Sequence, residues 1–134
     1  LFCIPAQQTI PLLIRWMLVF EEFDEERLHF GRAIPRDWIG TGKPIEIVGA
    51  PTRWGRGKYR LERRDSNTLV ATIVLPERGE LPEELHITFR PERDRTLHSA
   101  TVNGTAAAFG GPHHDAVIVR PNGMRRFEIV ALLA

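Results

Sequence analysis

RAIPRDWIGTGKPIEIVGAPTRWGRGKY, residues 32–59, is the stretch whose turns and alternations set the reading of the whole chain. It holds three of the ten prolines, two of the three tryptophans and the only tyrosine, so turn formers and large apolar anchors are concentrated in one place. Pro35 suits the first position of a short helical turn, where its missing N–H needs no partner. Asp37 then lies near the positive end of that turn, with Trp38 and Ile39 folding back as apolar anchors. Gly40-Thr41-Gly42 ends the turn. Ile45 and Ile47 alternate around Glu46, the pattern of a half-buried strand, and Gly49-Ala50-Pro51 is read as its stop. Trp54-Gly55 and Gly57 allow tight backbone before Tyr59 and Leu61 begin another alternation.

The β signal strengthens from there. Asp65-Ser66-Asn67 is a turn cluster, and Leu69–Leu75 (LVATIVL) is apolar on both faces apart from Thr72, so it reads as a central strand. Leu85, Ile87 and Phe89 face inward, and His86, Thr88 and Arg90 face outward. His98–Val102 is a strand, Asn103-Gly104 a two-residue hairpin turn, and Thr105–Phe109 the return. Ala116–Val119 and Arg126–Leu132 are the last strands, separated by Pro121-Asn122-Gly123. Short strands between turns at intervals of about ten residues predict a sandwich or barrel.

Upstream, Thr9 is placed to cap a helix with Pro11 just inside it. Leu12–Phe20 is apolar except for Arg15; Leu13, Trp16, Met17 and Phe20 share one face, while Ile14, Leu18 and Val19 cover much of the rest. A helix apolar nearly all round needs burial on several sides, and a small β domain offers one. The sequence therefore predicts an interface helix, with an edge helix laid across the chain's own sheet as the alternative. Glu21–Glu26 is an acidic connector, and Arg27–Ala33 alternates with Leu28 and Phe30 on one face. The expected organisation is residues 1–26 as helix and connector, and residues 27–134 as a mainly β, antiparallel sandwich of jelly-roll or Greek-key type.

Composition narrows the function class. A chain of 134 residues is one domain, and its formal charge of +1 argues against a general binder of polyanions. The single cysteine, Cys3, excludes an internal disulfide. The apolar run Ile10–Phe20 lacks the flanks of a signal peptide and falls short of the about 20 residues that span a bilayer. The chain begins with Leu, which suggests a fragment or a processed product.

No catalytic pair stands out. The Glu and Asp of the connector read as a solvated turn, and Ser66 and Ser99 lie outside any nucleophile elbow. His113-His114-Asp115 offers three ligand atoms, but adjacent side chains on extended chain point apart, so a polar loop is expected and no metal. His86 and His98 fall on outward positions and are expected to be solvated. Asn103-Gly104-Thr105 matches a glycosylation sequon that the hairpin turn already explains. Arg53, Trp54, Arg56, Lys58, Tyr59 and Arg60 interleave cations and rings. That strip reads as core rings with solvated cations, or as a platform (with Trp38) for a sugar or partner. Stacking on single-stranded nucleic acid is the weakest of the three, and no nucleic-acid, membrane or cofactor role is expected.

The succession LHFGRAIPRDWI (28–39), GKPIEIVGAPTRWGRGKYRLE (42–62), TLVATIVLP (68–76) and SATVNG (99–104) resembles the C-terminal β-sandwich of large bacterial glycoside hydrolases that carry an (α/α)6-barrel catalytic domain, with the α-L-rhamnosidase-type group and related proteins nearest. The likeness runs from about Leu28 to the C-terminus. It implies a non-catalytic accessory domain that packs on the barrel, with Ile10–Phe20 as the last barrel helix or the helix leaving it. The catalytic carboxylates of such enzymes lie in the barrel, so none transfers to this sequence and the chain is expected to be inactive alone. The implied partner is the upstream catalytic domain or, if the helix pairs with itself, another copy. Carbohydrate is the implied ligand of the alternative, a carbohydrate-binding module.

Overall fold

The computed structural model describes residues 4–22 and 24–134; Cys3, read above as lacking an activating context, lies outside them. A helix, α1 (Ile4–Leu18), leads into strands β1 (Val19–Glu21) and β2 (Arg27–Phe30). The short helix α2 (Arg36–Ile39) precedes the meander β3 (Ile45–Thr52), β4 (Gly55–Asp65) and β5 (Thr68–Val74). Then come β6 (Glu84–Thr88), β7 (Leu97–Val102), β8 (Thr105–Ala107), β9 (Phe109–Gly110), β10 (Ala116–Val119) and β11 (Arg126–Leu133). They form a β-sandwich of a five-stranded sheet ordered β1-β2-β6-β10-β9 and a six-stranded sheet ordered β3-β4-β5-β11-β7-β8. All pairings are antiparallel except β2 with β6, which is parallel.

Period-two alternation dictates the inner faces. Leu28 and Phe30 meet Leu85 and Ile87, which meet Val119 and Val117, across the five-stranded sheet. Tyr59 and Leu61 meet Ile73 and Ala71, which meet Phe127 and Ile129, across the other. All of these are buried, and each large one contributes about 1.5–3 kcal/mol. As expected, Thr68–Val74 is central, with β4 and β11 on either side. The turn chemistry also holds. The Asp65 carboxylate accepts from the Asn67 N–H at 2.8 Å. Asn103 and Gly104 have φ of 48° and 81°, the two positive values of a type I′ hairpin.

Four local readings are corrected. The Gly49 segment does not stop β3, which runs on to Thr52: Gly49 adopts φ 69° and the register shifts between Val48 and Ala50, so the glycine makes a bulge. Pro35 lies one residue before the first helical position, and Trp38 is an exposed side chain while Ile39 is buried. Thr9 does not cap α1, which starts at Ile4 and contains Pro11; its hydroxyl donates to Pro5 O at 2.7 Å inside the helix. Phe20 is not on the helix at all. The helix ends at Leu18 because Gly31 N–H donates to Leu18 O at 2.9 Å and Ala33 N–H to Met17 O at 3.3 Å, and Val19–Glu21 then pairs with β2. The sandwich therefore begins at Val19, within the stretch grouped above with the helix.

Candidate functional site

The N-terminal helix leaves its apolar surface uncovered. Ile4, Ile10, Leu12, Leu13, Ile14 and Trp16 are between 40% and 62% exposed, and among helix residues only Leu18 is buried. The helix is held at its C-terminal end. Arg15 bonds Glu21 of β1 at 3.3 Å and also donates to Pro51 O of β3. Of the four face residues read from spacing, Leu13 and Trp16 are exposed and Met17 and Phe20 are half-buried. Trp16 and Phe20 still meet, edge to face with centroids 6.3 Å apart, although one lies on the helix and the other on a strand. Among the described residues, no helix is long and apolar enough to cross a membrane.

The aromatic platform is not assembled. Tyr59 is fully buried and stacks on Phe30 at 5.3 Å; Trp54 is buried in the turn between β3 and β4. Only Trp38 of the three rings is exposed. Burial pushes the Tyr59 phenol far above its usual value, and its hydroxyl has no partner among the described residues. Arg53 lies over the Trp54 ring at 4.2 Å and donates to Glu25 O, while Arg56 spans its own hairpin to Gly49 O at 3.0 Å. These cations brace the turn at the base of the helix. A platform of Trp38, Trp54 and Tyr59 for a sugar or partner ring is excluded by the burial of two of its members.

Two clusters escaped the sequence reading. His86 faces outward as expected but is largely covered, not free in solvent. The β2–β6 register places it beside His29 on the outer face of the five-stranded sheet, with rings 4.7 Å apart and side chains 18% and 12% exposed. Glu22 bonds His29 at 2.6 Å and Glu84 bonds His86 at 2.9 Å. Burial lowers the His29 pKa, the Glu22 hydrogen bond opposes that, and the charges of His86 and Arg32 add to it. The Glu84 carboxyl is held low by its bond to His86; burial pulls Glu22 upward, but its bond to His29 leaves it low as well. The inward positions of Leu28, Phe30, Leu85 and Ile87 already put both histidines on outer faces. Their adjacency depends on a parallel pairing between strands more than fifty residues apart (His29 with His86).

The second cluster surrounds Asp115, read as part of a polar loop and in fact 4% exposed. Its backbone carbonyl accepts from Phe89 N–H at 2.9 Å, and Oδ2 lies 3.9 Å from Arg36. Among the described residues, no three His, Cys, Asp or Glu side chains converge as metal ligands. No protein-family model matches the chain, nor does any curated protein or solved structure.

Proposed function

We propose that this chain is a non-catalytic accessory β-sandwich domain of a larger carbohydrate-active enzyme, docked through α1 on the helical catalytic barrel and stabilising it. The observation that supports this reading is the uncovered helix. Six large apolar side chains stand in solvent on one short element, although the sandwich beside it buries its own core fully. Exposed apolar surface of that kind marks a contact surface, and an apolar helix matches the outer packing of a helical barrel better than a sheet edge. The segments at 28–39, 42–62, 68–76 and 99–104, which resemble glycoside-hydrolase sandwiches, supply the choice of parent.

The test has two parts. The coding sequence read upstream of Leu1 is expected to continue in frame into helical repeats that carry paired Asp and Glu. In the extended protein, Leu13→Glu with Ile14→Glu is expected to lower the unfolding temperature, yet to leave the isolated chain unchanged because both side chains are exposed there. An initiation codon directly before Leu1, or an extended protein indifferent to the double substitution, overturns the reading.

The same exposed helix favours one second reading, self-association of the chain through Leu13 and Trp16, with the half-buried Met17 and Phe20 at the margin. Sedimentation velocity over a concentration series separates the two. A dimer dispersed by Leu13→Glu supports self-association, and a monomer at all concentrations removes it.

A further inference from the structure

Asp115 is buried, yet its Oδ2 has no hydrogen-bond partner among the described residues. Leaving a buried acceptor unpaired costs about 1–3 kcal/mol, more when it is charged. Asp115 lines a cavity of about 460 Å³ together with Arg36, Arg93, Arg95, Thr96 and His113. That volume lies in the range of small-ligand pockets, about 300–1,000 Å³.

The wall carries three guanidinium groups against one carboxylate. Arg36 is fixed by donating to Pro91 O, which leaves its second terminal nitrogen 3.9 Å from Asp115 Oδ2. Arg95 is fixed by bonds to Ser66 O and Asn67 Oδ1, at 2.6 and 2.7 Å. Arg93 is exposed and has neither an ion pair nor a hydrogen bond among the described residues. A ligand that satisfies this wall brings both a carboxylate and a hydroxyl. The carboxylate pairs with Arg93 in charge-assisted bonds. The hydroxyl donates to the Asp115 carboxylate, and a neighbouring hydroxyl accepts from Arg36. A phosphodiester group, whose oxygens only accept, fits worse because it brings no donor to Asp115. Neither this cavity nor its neighbour is lined by a Trp, Tyr or Phe on which a nucleobase would stack.

We propose that the Arg36–Arg93–Asp115 cavity binds a polyhydroxylated carboxylate of the uronate type. A second cavity of about 340 Å³ shares His113 and Asp115 with the first and adds Arg32 and Arg90. That continuation of cationic wall favours uronate residues within a chain over a free sugar acid. The inference deepens the carbohydrate reading above and rests on it for the wider setting. It uses no residue of α1, so loss of docking and loss of ligand binding are read separately.

The experiment is calorimetric titration of the whole chain with oligomers of galacturonate, of mannuronate and of alternating glucuronate, beside free glucuronate, a neutral oligosaccharide of equal length and a single-stranded oligonucleotide. Binding of at least one uronate oligomer is expected, at least tenfold tighter than the neutral oligosaccharide and the oligonucleotide. Asp115→Asn is expected to weaken it at least tenfold. Arg93→Ala, a change at an exposed side chain that leaves folding intact, is expected to weaken it severalfold. Equal affinity for free glucuronate assigns the site to a single sugar acid, and tighter binding of the oligomer assigns it to a chain; both support the proposal. Silence with all uronates, an unchanged Arg93→Ala, or equal binding of the neutral oligosaccharide or the oligonucleotide overturns it.

Discussion

His29 and His86 stand side by side on the parallel strands β2 and β6, their rings 4.7 Å apart, each bonded to its own carboxylate. Arg27 links the two ends, reaching Glu84 at 3.2 Å and Glu22 at 3.7 Å. The sign of the pH dependence follows. Burial lowers the His29 pKa in the folded state, against the Glu22 bond. Stability from this group is thus complete above the ordinary imidazole value and declines as pH falls through it, because the unfolded chain takes up the proton first. Glu22 and Glu84 are also low in the fold, so their stabilisation is present above the ordinary carboxylate value and is lost as pH falls through their folded values. The unfolding temperature is expected to drop in two stages, below about pH 6.5 and again below about pH 4. His29→Gln should abolish the first stage and keep the second; thermal melts across pH with the stages unchanged would contradict the assignment.

Gly31 sits where no other residue fits. Its φ is 69°, and an added Cβ would lie 2.5 Å from Thr88 O and 2.7 Å from the Tyr59 hydroxyl oxygen. Left-handed strain and overpacking together make Gly31→Ala destabilising by about 3 kcal/mol or more. Gly79 shares the positive φ but has nothing within 4 Å of the added atom. Gly79→Ala should therefore cost only about 1 kcal/mol. Urea midpoints of the two variants at constant m-value measure the difference.

The Tyr59 hydroxyl makes the opposite prediction. It is buried and has no partner among the described residues, so Tyr59→Phe removes an unpaired polar group and keeps the stack on Phe30. Stability should stay level or rise by about 1 kcal/mol. A clear loss in a denaturant titration would mean that the hydroxyl is hydrogen-bonded after all.

Asn103 holds the β7–β8 turn to β11. Its side chain donates to Arg126 O at 3.2 Å and accepts from Glu128 N–H at 2.8 Å, while its φ is 48°. Asn103→Gly keeps the backbone and loses the amide, for about 1 kcal/mol. Asn103→Ala also strains the backbone and should lose about 2 kcal/mol or more. Equal losses in differential scanning calorimetry would show that the turn geometry contributes nothing.

Local chemistry in the sequence determined much of this protein. Alternation at Leu28–Phe30 and Leu85–Ile87 identified inner faces, and Asp65–Asn67 and Asn103–Gly104 identified turns. Such signals act within a few residues and do not depend on what packs opposite. Tertiary structure alone decided where α1 stops, because its last carbonyls are taken by Gly31 and Ala33. It also decided that Tyr59 and Trp54 belong to the core while Trp38 stands in solvent. It brought Arg36 to Asp115 and His29 to His86 across long stretches of chain. Periodicity tells which residues share a face. Which face is covered, and by which distant partner, depends on strand pairing and sheet packing that no local spacing encodes.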